Sequence, residues 1–139
     1  MTPEGERRLK DHEGLRLKPY RCTEDKLTIG YGRNLDAKGI SHACAQLMFD
    51  EDMAEVAQQA ASFSWFDSLD DVRRDVVTNL LFNMGLAGFH TFKRMIAAIE
   101  RHDWAAAAWE LSNSKWKSQV QKDRHDCLTH ALEYGRWPT

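Results

Sequence analysis

The sequence predicts an α+β chain, with one small sheet near the N-terminus and helices after it. Two observations carry this. Residues 15–34 alternate apolar and polar side chains, interrupted by Pro19, Gly30 and Gly32, a period-two pattern bounded by turn residues. Beyond residue 40 the apolar residues recur every three or four positions behind Ser or Asp caps, the spacing of one helix face. A length of 139 residues suits one domain with a real core.

Thr2 is the expected cap of the first helix and Pro3 its first residue, with the helix running to about His12 and Gly14 as its stop. Leu15-Arg16-Leu17-Lys18 then alternates as a strand that Pro19 confines to an edge. Cys22-Thr23-Glu24-Asp25 is a polar, turn-forming cluster. Leu27 to Gly32 alternates again, with glycines where a bend or a close backbone approach is required. A two- or three-stranded sheet results.

Ser41 should cap a helix to about Ala61, with Cys44, Leu47 and Met48 on its apolar face. Ser68 and Asp71 are spaced as a capping box, opening a helix that buries Val72, Val76, Leu80 and Met84 and ends at Gly85. Phe89, Phe92, Met95, Ile96 and Ile99 mark the next helix, and Asp103 opens another that carries Trp104 and Leu111. The last, from about Ser118 or Val120, buries Cys127, Leu128, Ala131 and Leu132 and stops at Gly135. Residues 1–139 thus form one domain: a β-containing lobe at about 13–40 and a helical lobe at about 66–139, joined by a long helix.

Composition narrows the functional classes. With 42% hydrophobic and 29% charged residues the chain has an ordinary globular make-up. Its net charge of −2 argues against nucleic acid as a partner. Residues 1–34 carry eight Lys/Arg against six Asp/Glu, residues 35–75 three against nine, and residues 76–139 eight against six. Such runs are mostly solvated faces. Three widely spaced cysteines fit a reducing compartment, and no HExxH or paired Cys pattern suggests a metal. Asp50-Glu51-Asp52 lacks the glycine of a calcium loop. The five tryptophans sit at helical spacing among Ala and Leu, the pattern of core residues. Met1 to Arg8 contain no apolar segment, and no run approaches the roughly 18 residues of a membrane span, so a protein without signal or anchor is expected.

One constellation stands out chemically. Glu13, eight residues, Cys22, five residues, Thr28 places an acid at a helix end and two polar groups on a hairpin. A carboxyl that keeps its proton can protonate a leaving oxygen, provided desolvation or a nearby anion favours the neutral form. A cysteine is a useful base only as its thiolate, and a free thiol, with a pKa of about 8.5, is mostly neutral at pH 7.

The spacing Glu13–Cys22–Thr28 with the run Thr28-Ile29-Gly30-Tyr31-Gly32 resembles the catalytic signature of the T-even-type phage lysozymes (endolysins), glycoside hydrolase family 24. There the middle position is usually Asp and sometimes Cys. The likeness continues through Ser68–Arg74 and Asn79–Gly85, through Phe89–Ile99, and through Ser112–Trp116 to Gln119 and Arg124. It departs at residues 33–40, a shorter link than in larger relatives, and Arg33 stands where some have His. The resemblance implies a lysozyme-like fold and hydrolysis of the β-1,4 bond between N-acetylmuramic acid and N-acetylglucosamine in peptidoglycan. Glu13 would be the acid, with Cys22 and Thr28 positioning or activating water. Asn79, Gln119 and Arg124 (rather than Lys122) would bind substrate, Arg124 at the position that pairs with the catalytic Glu in the family. It implies no cofactor and no metal. It also implies a monomer that waits in the host cytoplasm until holin lesions release it to the wall, without direct holin contact. A lytic transglycosylase, which needs the Glu but no water, and a non-catalytic glycan-binding protein on the same scaffold are the alternatives.

Overall fold

The computed structural model describes all 139 residues, and the chain divides into two compact units, Met1–Met48 and Phe49–Thr139. The first unit opens with α1 (Pro3–Glu13). Thr2 caps it as expected, its hydroxyl accepting the Gly5 N–H at 3.1 Å, and Gly14 ends it at φ 72°. A three-stranded antiparallel sheet follows, ordered β1 (Arg16–Arg21), β2 (Leu27–Gly30), β3 (Arg33–Asn34). β1 is the edge strand that Pro19 requires, and its pairing to β2 is irregular between Arg16 and Tyr20, the stretch that holds the proline.

The link at residues 33–40 is more structured than the sequence suggests. It contains β3 and a one-turn helix, α2 (Leu35–Lys38), capped by the Asn34 side chain on the Ala37 N–H at 3.0 Å. A single turn shows no apolar periodicity, which is why the pattern missed it. The boundary between the units falls inside α3 (His42–Ala61), whose Ser41 cap accepts the Cys44 N–H at 3.1 Å. Its expected apolar face is not buried: Cys44 is exposed, and Leu47 and Met48 are more than half exposed.

The second unit holds the core, in which α5 (Lys93–Glu100) packs on α6 (Trp104–Ser112), and both α6 and α4 (Asp71–His90) pack on α8 (Lys122–Tyr134). Val76, Val77, Leu80, Leu81, Phe89, Met95, Ile99, Leu111 and Leu132 are essentially inaccessible. Two sequence expectations about α4 need correction. Its cap is Asp70, whose carboxylate accepts the Arg73 N–H at 3.0 Å, because Ser68 closes a 3-10 turn over Phe66–Ser68 by donating to Trp65 O at 2.6 Å. Gly85 does not end the helix: at φ 74° and ψ 168° it kinks it, and helix resumes to His90. Phe89 therefore closes α4 rather than opening α5. The C-terminal segment is likewise split into α7 (Trp116–Gln119) and α8, with Val120 extended between them. Asp103 and Gly135 cap and stop their helices as expected.

Arg73 ties the unit together. It donates to Leu132 O and Glu133 O at 2.7 Å each, at the carbonyl end of α8, and lies 4.0 Å over the Trp104 ring. No helix is long and apolar enough to cross a membrane.

Candidate active site

Glu13 is the last residue of α1. The chain turns at Gly14, whose N–H closes on Lys10 O at 2.8 Å, and this leaves the Glu13 side chain exposed at the helix end. Its carboxylate lies directly against the bare Cα of Gly32, in the turn between β2 and β3. A Cβ built on Gly32 would collide with Glu13 Oε2, and Gly32 also sits at φ 67°. Glycine is required there twice, for backbone freedom and for space.

Cys22 follows the end of β1 and heads the hairpin turn. Its N–H donates to Lys26 O at 3.0 Å, its carbonyl accepts the Asp25 N–H at 2.8 Å, and Asp25 reverses the chain at φ 57°. The Lys26 N–H, then the Glu24 N–H, hold the Cys22 thiol below its usual range, and the Thr28 hydroxyl adds to them against partial burial and the Glu24 charge. Thr28 is the one buried residue of the first unit, 4% exposed, and its hydroxyl donates to Lys26 O at 2.8 Å. That hydroxyl has a single proton. While it serves Lys26 O, Oγ1 can accept from a neutral thiol or a water; turned to the sulfur, it stabilises a thiolate.

The structure thus brings Cys22 and Thr28 together. Glu13 lies at the other end of β2, on Gly32, four residues along the chain from Thr28 and so at most about 14 Å of backbone away.

Within the second unit Asn79 on α4 and Arg124 on α8 are partners. The guanidinium reaches Asn79 Oδ1 from Nε at 3.0 Å and from Nη2 at 2.6 Å. Lys122 instead points to solvent, 87% exposed, in a pair with Asp126. Gln119, exposed at the end of α7, lines two adjoining grooves of about 540 and 380 Å³. Trp116 forms part of both and is fixed by its Nε1–H on Asn83 Oδ1 at 2.8 Å. Lys93 and Arg94 at the start of α5, with Lys115 just before α7, give the larger groove three cations beside one carboxylate, Glu110, a lining that no motif announces. The tryptophans do not all belong to the core: Trp65 and Trp116 do, whereas Trp109 is 61% and Trp137 42% exposed.

A short antiparallel sheet that follows a helix ending in an acid, with a thiol at its hairpin turn and a threonine in its central strand, and then an all-helical unit, defines a lysozyme-like α+β protein. The chain belongs to the phage lysozyme family, whose model matches residues 10–131. It is similar to "Probable T4-type lysozyme 1" of Dictyostelium discoideum, at 29% identity over 91% of this chain and 92% of the relative. It is also similar to the endolysin of Acyrthosiphon pisum secondary endosymbiont phage 1, at 31% identity over 84% of this chain and 80% of the relative. The SAR-endolysin of bacteriophage PS34 is 26% identical over 84% of this chain and 76% of the relative.

Proposed function

We propose that this peptidoglycan-lytic enzyme is an N-acetylmuramidase, hydrolysing the β-1,4 bond between N-acetylmuramic acid and N-acetylglucosamine. Glu13 donates its proton to the leaving glycosidic oxygen. Water attacks the anomeric carbon and gives a proton to the Cys22 thiolate, while Thr28 orients it through its free lone pairs; solvent then returns both groups to their starting protonation. The observation that supports this most is the hairpin turn that joins Cys22 and Thr28 at Lys26 O and whose Lys26 and Glu24 N–H groups lower the thiol pKa. It favours an anion at the position where a carboxylate would otherwise serve.

Asn79, Gln119 and Arg124 are proposed to bind substrate, with residues 1–139 acting as a single catalytic domain made of a β-containing lobe at about 13–40 and a helical lobe at about 66–139. The protein would work as a monomer, reaching the wall from the host cytoplasm through holin lesions.

The test is mass spectrometry of fragments released from purified Gram-negative peptidoglycan. Hydrated fragments with reducing muramic acid ends are expected, and Glu13→Gln should release them about 10³-fold more slowly. Cys22→Asp should stay active and Cys22→Ser should lose most activity. Because the Cys22 thiol is held low, the rate of the native enzyme should climb with pH below the ordinary thiol range near 8.5, as the thiolate forms. Anhydro-muramic ends would make the enzyme a transglycosylase; binding without release would leave only a glycan-binding scaffold.

A further inference from the structure

We propose that Asp36, which lies outside the Glu–Cys–Thr motif, is a positioning residue for Cys22 that acts through the Lys26–Leu27 peptide group. Asp36 stands in the single turn of α2, and its Oδ2 accepts the Leu27 N–H at 2.8 Å. The carbonyl of that same peptide, Lys26 O, accepts both the Cys22 N–H at 3.0 Å and the Thr28 hydroxyl at 2.8 Å. A peptide group is planar, so anchoring its N–H fixes the direction of its carbonyl. The carboxylate therefore sets where Cys22 and Thr28 converge. It also steadies Lys26, whose backbone N–H is the strongest influence lowering the Cys22 thiol pKa.

The anchor is itself braced. α2 is capped by Asn34 and closed by the Gly39 N–H on Leu35 O at 2.9 Å. Arg21 Nη1 lies 3.9 Å from Asp36 Oδ2 and 3.4 Å from Asp25 O, spanning from the hairpin turn to α2. Around the thiol, Glu24 is the carboxylate that opposes its ionisation. Without Asp36 the Leu27 N–H would turn to water and the hairpin turn would be free to relax. The donors would then leave the sulfur, and the thiolate would become less favoured.

This inference rests on the reading of Cys22 as a working thiolate, so the experiment measures thiol and reaction separately. In a background carrying Cys44→Ser and Cys127→Ser, the rate of Cys22 with a thiol-specific reagent is followed across the range in which a thiol titrates. In parallel, kcat and KM are measured on purified peptidoglycan. Asp36→Ala should raise the titration midpoint by half to one unit, lowering thiolate reactivity at pH 7 by about three- to tenfold. It should lower kcat by a similar factor with KM unchanged. Asp36→Asn, whose carboxamide oxygen can still accept the Leu27 N–H, should restore both.

Unchanged thiol reactivity in Asp36→Ala overturns the proposal. So does an equal loss in Asp36→Asn, and that arm decides the matter even where Asp36→Ala does not fold. Reactivity that falls while kcat stays constant would uphold the hold of Asp36 on Cys22 and remove Cys22 from the reaction.

Discussion

The two units of this protein are built on different forces. Every buried apolar side chain belongs to Phe49–Thr139, from Val56 to Leu132. Met1–Met48 buries only Thr28, a polar residue. The first unit is shaped by caps, turns and a short ladder, and by ion pairs on α1 such as Lys10–Glu6 and Arg7–Asp11 whose partners are about half exposed. Pairs of that kind contribute little to stability. The second unit is a close-packed helical core, where burial supplies the stability. The residues proposed for chemistry lie in the unit that packs least. A catalytic geometry can therefore be set by backbone direction and hydrogen bonds while a separate core supplies the fold, and mutations in the two units should have different signatures.

The largest effect on stability is expected from the core. Leu80 in α4 is fully buried, and Leu80→Ala should cost about 2–5 kcal/mol through lost burial and the cavity left behind. Denaturant unfolding followed by tryptophan fluorescence should show it, since all five tryptophans lie in the second unit. Activity per folded molecule should stay near that of the native protein. A core variant that lost activity without losing stability would break the division.

Gly32→Ala should show the opposite signature. The added methyl meets the Glu13 carboxylate and forces a side chain onto a residue at φ 67°. The backbone term costs about 1 kcal/mol. Displacing the acid by about an ångström should slow fragment release about 10²-fold. The check is the pair of measurements together: a modest change in melting, a large change in rate. If the melting change were the larger one, Gly32 would be serving the fold rather than the acid.

What could be read from the sequence follows the same division. Caps and stops with local chemistry were legible: Thr2, Ser41, Asp103 and Gly135 each do what their side chain, or lack of one, dictates. The apolar periodicity of Val76, Leu80, Leu128, Ala131 and Leu132 located the core. The misreadings arose where two local options competed. Ser68 and Asp70 are both good caps, and only the 3-10 turn before α4 decides between them. Gly85 can end or kink a helix, and the packing of Phe89 beyond it favours the kink. Cys44, Leu47 and Met48 have helical spacing, yet spacing alone does not say that anything covers a face. In the site, the spacing of Glu13, Cys22 and Thr28 was visible because it lies on one contiguous stretch, a helix end and the hairpin that follows it. The Asn79–Arg124 pair spans 45 residues; the resemblance named each residue, with Arg124 as a partner of the acid, but not their bond to each other. Asp36 offered no signal at all, because its role is to hold a backbone amide.

The smallest expected effect probes charge in the unit that does pack. Asp70 caps α4 and pairs with Arg73 at 2.8 Å, where the guanidinium side is only 11% exposed. Burial raises the Asp70 pKa, but the Arg73 N–H, its guanidinium hydrogen bond and its charge together outweigh this and bring it below the ordinary Asp value. A carboxyl with a lowered folded-state pKa contributes stability that is complete above the unfolded value of about 3.9 and is lost as pH falls through the folded one. Asp70→Ala should therefore cost about 1 kcal/mol at neutral pH, a melting shift of about 3–5 °C. The gap from the native protein should narrow once pH drops below about 4. The matching deletion in the first unit, Glu4→Ala, removes exposed partners of Arg7 and Arg8 and should leave the melting curve unchanged at every pH. Thermal melts of both variants across pH sharpen the comparison: similar ion pairs on paper, with a measurable contribution only where Arg73 is packed beneath the end of α8.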